Sequence, residues 1–263
     1  ALPIYISKDK PCNLGYKTRY FICYTSDESS DPYPVTALIQ KCPVLYMYFK
    51  QCKINRLIGN GSSNNALGNR FIEAIEGDEN TVYDNSTDSY NFHRCESLTY
   101  FNFVNGTSKI SEFHFSSCFS LKYVTLPKNI TRLENSSFAN TYSLPFINIP
   151  DGTTAIYNAA FTNAYALKYI YLPSSLTAAA ANIISSCSSL ICVEIGDNFN
   201  LALNISGSDT FFGLTHTTII NLFNKLKDNS GQTAKTITLG PNNLAKLTAE
   251  EKTIATNKNW TLA

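Results

Sequence analysis

Apolar and polar positions in the middle of the chain recur at a fixed step of twenty-three, the interval from Phe92 to Phe115. Phe92, Phe115, Phe138, Phe161 and Ile184 share one position of this repeat, and Leu98, Leu121, Leu144, Leu167 and Leu190 share a second. A third holds Phe101, Val124, Ile147, Ile170 and Val193, and a fourth Phe103, Leu126, Ile149, Leu172 and Ile195. Ile110, Leu133, Ile156 and Ala179 form a fainter fifth. The spacing Leu-x-x-Val-x-Leu alternates apolar with polar, so successive side chains face opposite sides of a short strand. Pro127, Pro150, Pro173 or Gly196 then stops it. The second half of each unit, as in ITRLENSSFAN, is too short for more than a turn or two of helix or an irregular coil. One strand and one return segment per repeat predict an α/β solenoid over about residues 92–200. Each coil buries its apolar side only when the next one stacks on it.

The flanks lose this step. Residues 1–91 read as an N-terminal cap or small irregular unit with a degenerate repeat. KCPVLYMYF echoes the unit at Cys42 and Leu45, and RFIEAIEG reads as the strand of a degenerate coil with an insertion before Phe92. Residues 201–263 read as a C-terminal cap of helix, strand and helix. SGSDTFFGLTHTTIINLFNKLKDNS gives a turn and then a helix with Ile219, Ile220, Phe223 and Leu226 on one face. KTITLG is the strand, and LTAEEKTIATNK is a short helix begun by Thr248 with Glu251 three residues on. Trp260 is expected to pack back on the body.

Composition narrows the partners. The chain is 44% apolar and 16% charged, against about 25% charged in ordinary soluble domains. With a net charge of +1 and three scattered histidines, no basic field is present to attract nucleic acid or an anionic membrane. The longest apolar stretch, Pro43 to Phe49, is far too short to span a bilayer, so no direct membrane insertion is expected. The opening ALPIYISKDK has neither the charged nor the apolar region of a signal peptide, which leaves open a removed signal or a trimmed initiator Met. Three of the eight cysteines, Cys95, Cys118 and Cys187, share a repeat position with Thr141 and Ala164, as a small buried group would. Cys12, Cys23, Cys42 and Cys52 lie upstream, where pairing stays open. With no CxxC and no histidine at ligand spacing, no zinc site is expected. The Asn-x-Ser/Thr triplets follow from a composition rich in these residues and decide nothing.

The unit F-x-x-C-x-S-L-x-x-I-x-L-P, written FSSCFSLKYVTLP at 115–127 and less fully ISSCSSLICVEIG at 184–196, resembles the leucine-rich repeat of the BspA type, found in surface proteins of gut and oral bacteria and some protozoa. The run KTITLGPNNLAKLTAEEKTIATNKNWTLA is similar to the ending attached to such repeats in gut bacterial and bacteriophage proteins. The resemblance implies a horseshoe-like parallel sheet and a role in adhesion or recognition. It carries over no catalytic residue and no cofactor.

No catalytic constellation stands out. His93 and His114 fall on different rungs of the repeat, His216 begins a helix, and the GNG at 59–61 lacks the rest of a phosphate loop. Acidic residues are spread along the return segments as a solvated face. The chain therefore reads as no enzyme, with an activity in the N-terminal unit kept as a third reading. If the apolar rungs point inward, Tyr100, Tyr123, Phe146, Tyr169 and Cys192 point outward as a row with a spacing of about 4.8 Å. Asn102, Thr125, Asn148, Tyr171 and Glu194 form a second row. Rings edged by amides and hydroxyls suit stacking on sugars or gripping a protein. The same rings equally suit pairing within the sheet or a contact between protomers, so a homo-oligomer stays open. The expectation is a cell-surface module that binds a host protein or glycan through Tyr100, Asn102, Tyr123, Thr125, Phe146, Asn148, Tyr169 and Tyr171. The alternative is a structural or receptor-binding part of a bacteriophage virion, such as a tail or head fibre.

Overall fold

The computed structural model describes residues 20–24, 46–50, 53–54, 71–78, 81–83, 89–103, 105–206 and 213–263. The questions raised about Cys12, Cys42, Cys52, Leu45, the GNG segment and the turn at 207–212 lie outside these residues, as does the side chain of Cys23.

The alternating apolar positions form short strands, and all of them pair in parallel. One sheet holds β1 (Tyr20–Tyr24), β2 (Tyr46–Lys50), β4 (Ala74–Gly77), β6 (Tyr100–Asn102) and β9 (Tyr123–Thr125) in that order. Beyond it lie β11 (Phe146–Asn148), β13 (Tyr169–Leu172) and β15 (Cys192–Ile195). Partners are one repeat apart at Tyr100↔Tyr123, Phe146↔Tyr169 and Tyr169↔Cys192. The strand expected in RFIEAIEG is β4, and parallel pairing continues upstream of it. The pairs Tyr20↔Tyr46, Tyr46↔Ala74 and Ala74↔Tyr100 mark coils that are longer than the regular repeat and unequal among themselves.

The return segments hold no helix among the described residues. They contribute two-residue strands, β8 (Lys109–Ile110), β10 (Arg132–Leu133), β12 (Ala155–Ile156) and β14 (Ala178–Ala179), which form a second parallel sheet. A third consists of β3 (Lys53–Ile54), β5 (Val82–Tyr83) and β7 (Asn105–Gly106). Between strands the chain turns through left-handed backbone at Tyr90, Phe113, Ser136 and Ala159, and again at Arg94, Ser117, Asn140, Asn163 and Ser186, each set one repeat apart. These bends aim N–H groups at the next coil. Phe92 donates to His114 O, Phe115 to Ser137 O, Phe138 to Ala160 O and Phe161 to Ile183 O, all at 2.8 Å. Coils are thus fastened on this side without strands, which satisfies backbone that would otherwise be buried and unpaired.

The core is a set of columns. Phe92, Phe115, Phe138 and Phe161 are fully buried, and their rings lie near parallel with successive centroids 5.7, 5.0 and 5.4 Å apart. Leu98, Leu121, Leu144, Leu167 and Leu190 are fully buried beside them. The small slot of Cys95, Cys118, Thr141, Ala164 and Cys187 is buried. Cys118 and Cys187 donate their thiols to Phe92 O and Phe161 O, and Thr141 donates its hydroxyl to Phe138 O. The position therefore suits a small group that can also donate a hydrogen bond.

Helix α1 (His216–Lys225) ends the main sheet by lying against β15. Its N-cap Thr215 donates its backbone N–H to Ile191 O, the same link that Ile191 makes to Lys168 O. Ile219, Leu222 and Phe223 are buried, while Ile220 is only half covered. Beyond it, β16 (Leu203–Asn204), β17 (Lys235–Thr238) and β18 (Trp260–Leu262) form a parallel sheet. A short α2 (Pro241–Leu244) precedes α3 (Ala249–Thr256), which starts on the expected reciprocal cap of Thr248 and Glu251. Trp260 is buried and donates Nε1–H to Lys227 O at 2.8 Å, inside a strand the sequence pattern did not predict.

Candidate binding face

Alternation along the strands puts the two outward rows where periodicity places them. Tyr100 and Tyr123 stack face to face, with centroids 4.8 Å apart and planes 9° apart. The expected ladder then changes character. Tyr123 and Phe146 stand 6.3 Å apart at 74°, and both rings are open to solvent, at 37% and 43% exposure. Tyr169 is half-buried and donates its hydroxyl to Glu194 Oε2 at 2.8 Å. Burial, followed by that hydrogen bond, raises the Tyr169 pKa. Glu194 is tied in turn to Lys225 of α1 at 2.9 Å, and these two partners, Lys225 first, hold its carboxyl below the usual range. Upstream, the Tyr46 hydroxyl donates to Glu76. Burial, then Glu76, raises the Tyr100 pKa.

In the second row, Thr125 donates its hydroxyl to Tyr123 Oη at 3.1 Å. Tyr171 donates its own to Asp151 Oδ1 at 3.0 Å, and its pKa is pushed up to about 12 by burial and then by that bond. Asn102 is half-buried, and Asn148 is exposed. The eight candidate residues therefore share one face, but their rings do not form one continuous stacked ladder.

The ladder breaks because the sheet breaks. β9 and β11 are neighbours that do not pair, and the main sheet is split there into five strands and three. The cause sits at one repeat position. Thr99 donates N–H to Glu73 O, Lys122 to Thr99 O, Lys168 to Pro145 O and Ile191 to Lys168 O, at 2.7 to 3.1 Å. The residue due to donate to Lys122 is Pro145, which has no N–H. A cleft of about 580 Å³ opens at the gap, lined by Tyr123, Thr125, Phe146, Asn148, Asp151, Tyr171 and Lys128 among others. Lys128 and Asp151 were not among the residues expected from sequence.

A second aromatic stack was also missed. Phe119, Tyr142 and Tyr165 follow the small slot by one residue, with centroids 4.9 and 5.1 Å apart and planes within 20°. Tyr142 and Tyr165 are 40% and 44% exposed. The repeat step would have revealed this row, since it is one more column of the same period, but it precedes the strand and lay outside the alternation argument. No group of three or more His, Cys, Asp or Glu residues able to hold a metal occurs among the described residues.

Residues 85–216 match the family described as the BspA type leucine rich repeat region, six copies. The chain belongs to this family. The solved structures that this BspA-type repeat protein is similar to are leucine-rich repeat proteins of low identity. One from Treponema pallidum shares 13% identity over 78% of this chain and 82% of that one, with a TM-score of 0.40. One from Bacteroides ovatus shares 18% over 65% and 56%, with a TM-score of 0.38. A leucine-rich cell surface protein of Faecalibacterium prausnitzii shares 13% over 84% and 79%, with a TM-score of 0.33. No curated protein sequence matches significantly. No helix among the described residues is long and apolar enough to cross a membrane.

Proposed function

We propose that this BspA-type repeat protein is a non-catalytic recognition module, displayed at a cell surface, that binds a glycan or a protein through the outer face of its repeat sheet. The observation that carries this reading is the solvent-exposed pair Tyr123 and Phe146, adjoining Tyr100 and edged by Thr125, Asn148 and Tyr171. Exposed rings in a row are uncommon on a protein that has no use for them, and a hydroxyl and amide border gives such rings directional partners. The core columns lie on the other side of the strands, so the face can be altered without opening the interior.

The test is a triple change, Tyr100→Ser, Tyr123→Ser and Phe146→Ser, which leaves Tyr169 in place because it anchors Glu194. Binding would be read on a glycan array and on immobilised host-cell surface proteins, alongside thermal unfolding. Expected are loss of at least tenfold in binding and a thermal midpoint within a few degrees of the parent. Undiminished binding by the triple variant would refute the assignment of this face.

A further inference from the structure

Three features meet at the gap between β9 and β11. The rings of Tyr123 and Phe146 stand at 74° to one another, so one forms a floor and the other a wall. Around them are polar groups that line the cleft: Thr125, the exposed Asn148 amide, Lys128 and Asp151. Asp151 has one oxygen held by the Tyr171 hydroxyl at 3.0 Å, while its Oδ2 bonds to no described residue. The backbone edges of two strands face the same space without pairing.

We infer that the break at Pro145 creates a pocket for a single neutral sugar ring, stacked on Phe146 and Tyr123 and hydrogen-bonded by Asp151 and Asn148. This rests on the reading of the outer face as a binding surface and narrows it to one place and one ligand class. A pyranose has an apolar C–H face that fits an aromatic ring, and hydroxyls around its rim that both donate and accept. The cleft offers both, two rings and a border of amide, hydroxyl and charged groups. Its volume of about 580 Å³ falls within the ~300–1,000 Å³ of ligand pockets. One cation and one anion line it, a balance that favours an uncharged ligand over an anionic one.

An extended peptide is the competing occupant and fits less well. A strand laid between β9 and β11 needs them about 10 Å apart, twice the spacing of neighbouring strands. Their Cα atoms approach within 8 Å. The second sheet also remains paired across the same two coils, at β10 and β12, so the opening is confined to the outer face.

The full chain would be titrated with methyl α- and β-glycosides of glucose, galactose, mannose and N-acetylglucosamine, followed by saturation-transfer NMR. Three variants accompany it. Asp151→Ala removes an exposed acceptor, Pro145→Thr restores the missing N–H, and Tyr165→Ser alters an exposed ring outside the cleft and its face. The expected result is that at least one glycoside binds and is weakened tenfold or more by Asp151→Ala and by Pro145→Thr, but less than twofold by Tyr165→Ser. Amide exchange at Phe146 should slow in Pro145→Thr, which checks that the gap has closed; should that variant not fold, Asp151→Ala decides alone. Binding kept with Asp151→Ala and Pro145→Thr but lost in the triple variant of Tyr100, Tyr123 and Phe146 would overturn the pocket while leaving the face as a binding surface. The pocket is also overturned if no glycoside binds, or if only extended peptides do.

Discussion

The imidazole of His114 is fully buried against Tyr83, Phe92, Phe101 and Phe115. Its Nδ1 accepts from the Asn91 amide at 3.1 Å, so the ring proton sits on Nε2, which faces Tyr83 Oη at 3.2 Å. Burial alone lowers its pKa from 6.5 to about 3. The unfolded chain therefore takes up this proton first on acidification. The His114 contribution is complete above pH 6.5 and drains as pH falls towards 3, by about 1.4 kcal/mol per pH unit. Urea unfolding between pH 6.5 and 5 should show this slope, and His114→Gln should flatten it; an unchanged slope in the variant would assign the acid limb to other groups. Gly106 makes a second demand at single-residue scale. It has φ of +145°, and an added Cβ would lie 1.7 Å from Tyr83 O, so Gly106→Ala should cost more than about 2 kcal/mol in the same assay. Neither position was legible beforehand. Asn91, His114, Ser137, Ala160 and Ile183 occupy one buried column, and its mixture of polar and apolar types hides the burial.

The strands between 92 and 195 were legible because a single step is kept throughout, and the Phe column shows what that step does energetically. Phe138 is packed between Phe115 and Phe161, so Phe138→Ala should cost about 3–5 kcal/mol, read as a lower denaturant midpoint, because the cavity has coil on both sides and little room to collapse. Upstream, the strand in RFIEAIEG was legible but β1 and β2 were not, since the longer and unequal coils that separate Tyr20, Tyr46, Ala74 and Tyr100 defeat alignment at a fixed period. Helix ends were readable where side chains do the capping, as at Thr248. The end of α1 was not, because its cap comes from far along the chain. Lys258 Nζ donates to Phe223 O, Asn224 O and Leu226 O at 3.0, 2.7 and 3.1 Å, placing a cation on the negative end of the helix. Lys258→Met, which keeps the apolar stem, should lower stability by about 1–2 kcal/mol, visible as a thermal midpoint shift of a few degrees.

For the molecule as a whole, the outer face could be read from alternation, but its division could not. Proline at the first residue of a strand is permitted, so Pro145 gives no warning in the sequence. Only the unbroken donor series on either side of it shows that one link is missing. The interior and the face also differ in kind. The Phe and Leu columns keep nearly one residue type throughout, whereas the outward rows vary from tyrosine to cysteine along one line. Because the coils from 92 to 195 meet their neighbours through equivalent atoms everywhere but at Pro145, one unit is removable without disturbing the rest. Excising residues 138–160 would bring Phe161 onto Phe115 and let Lys168 N–H reach Lys122 O, giving one continuous sheet in which β13 and β15 follow directly on β9. A shortened protein of this kind should unfold cooperatively and carry no cleft.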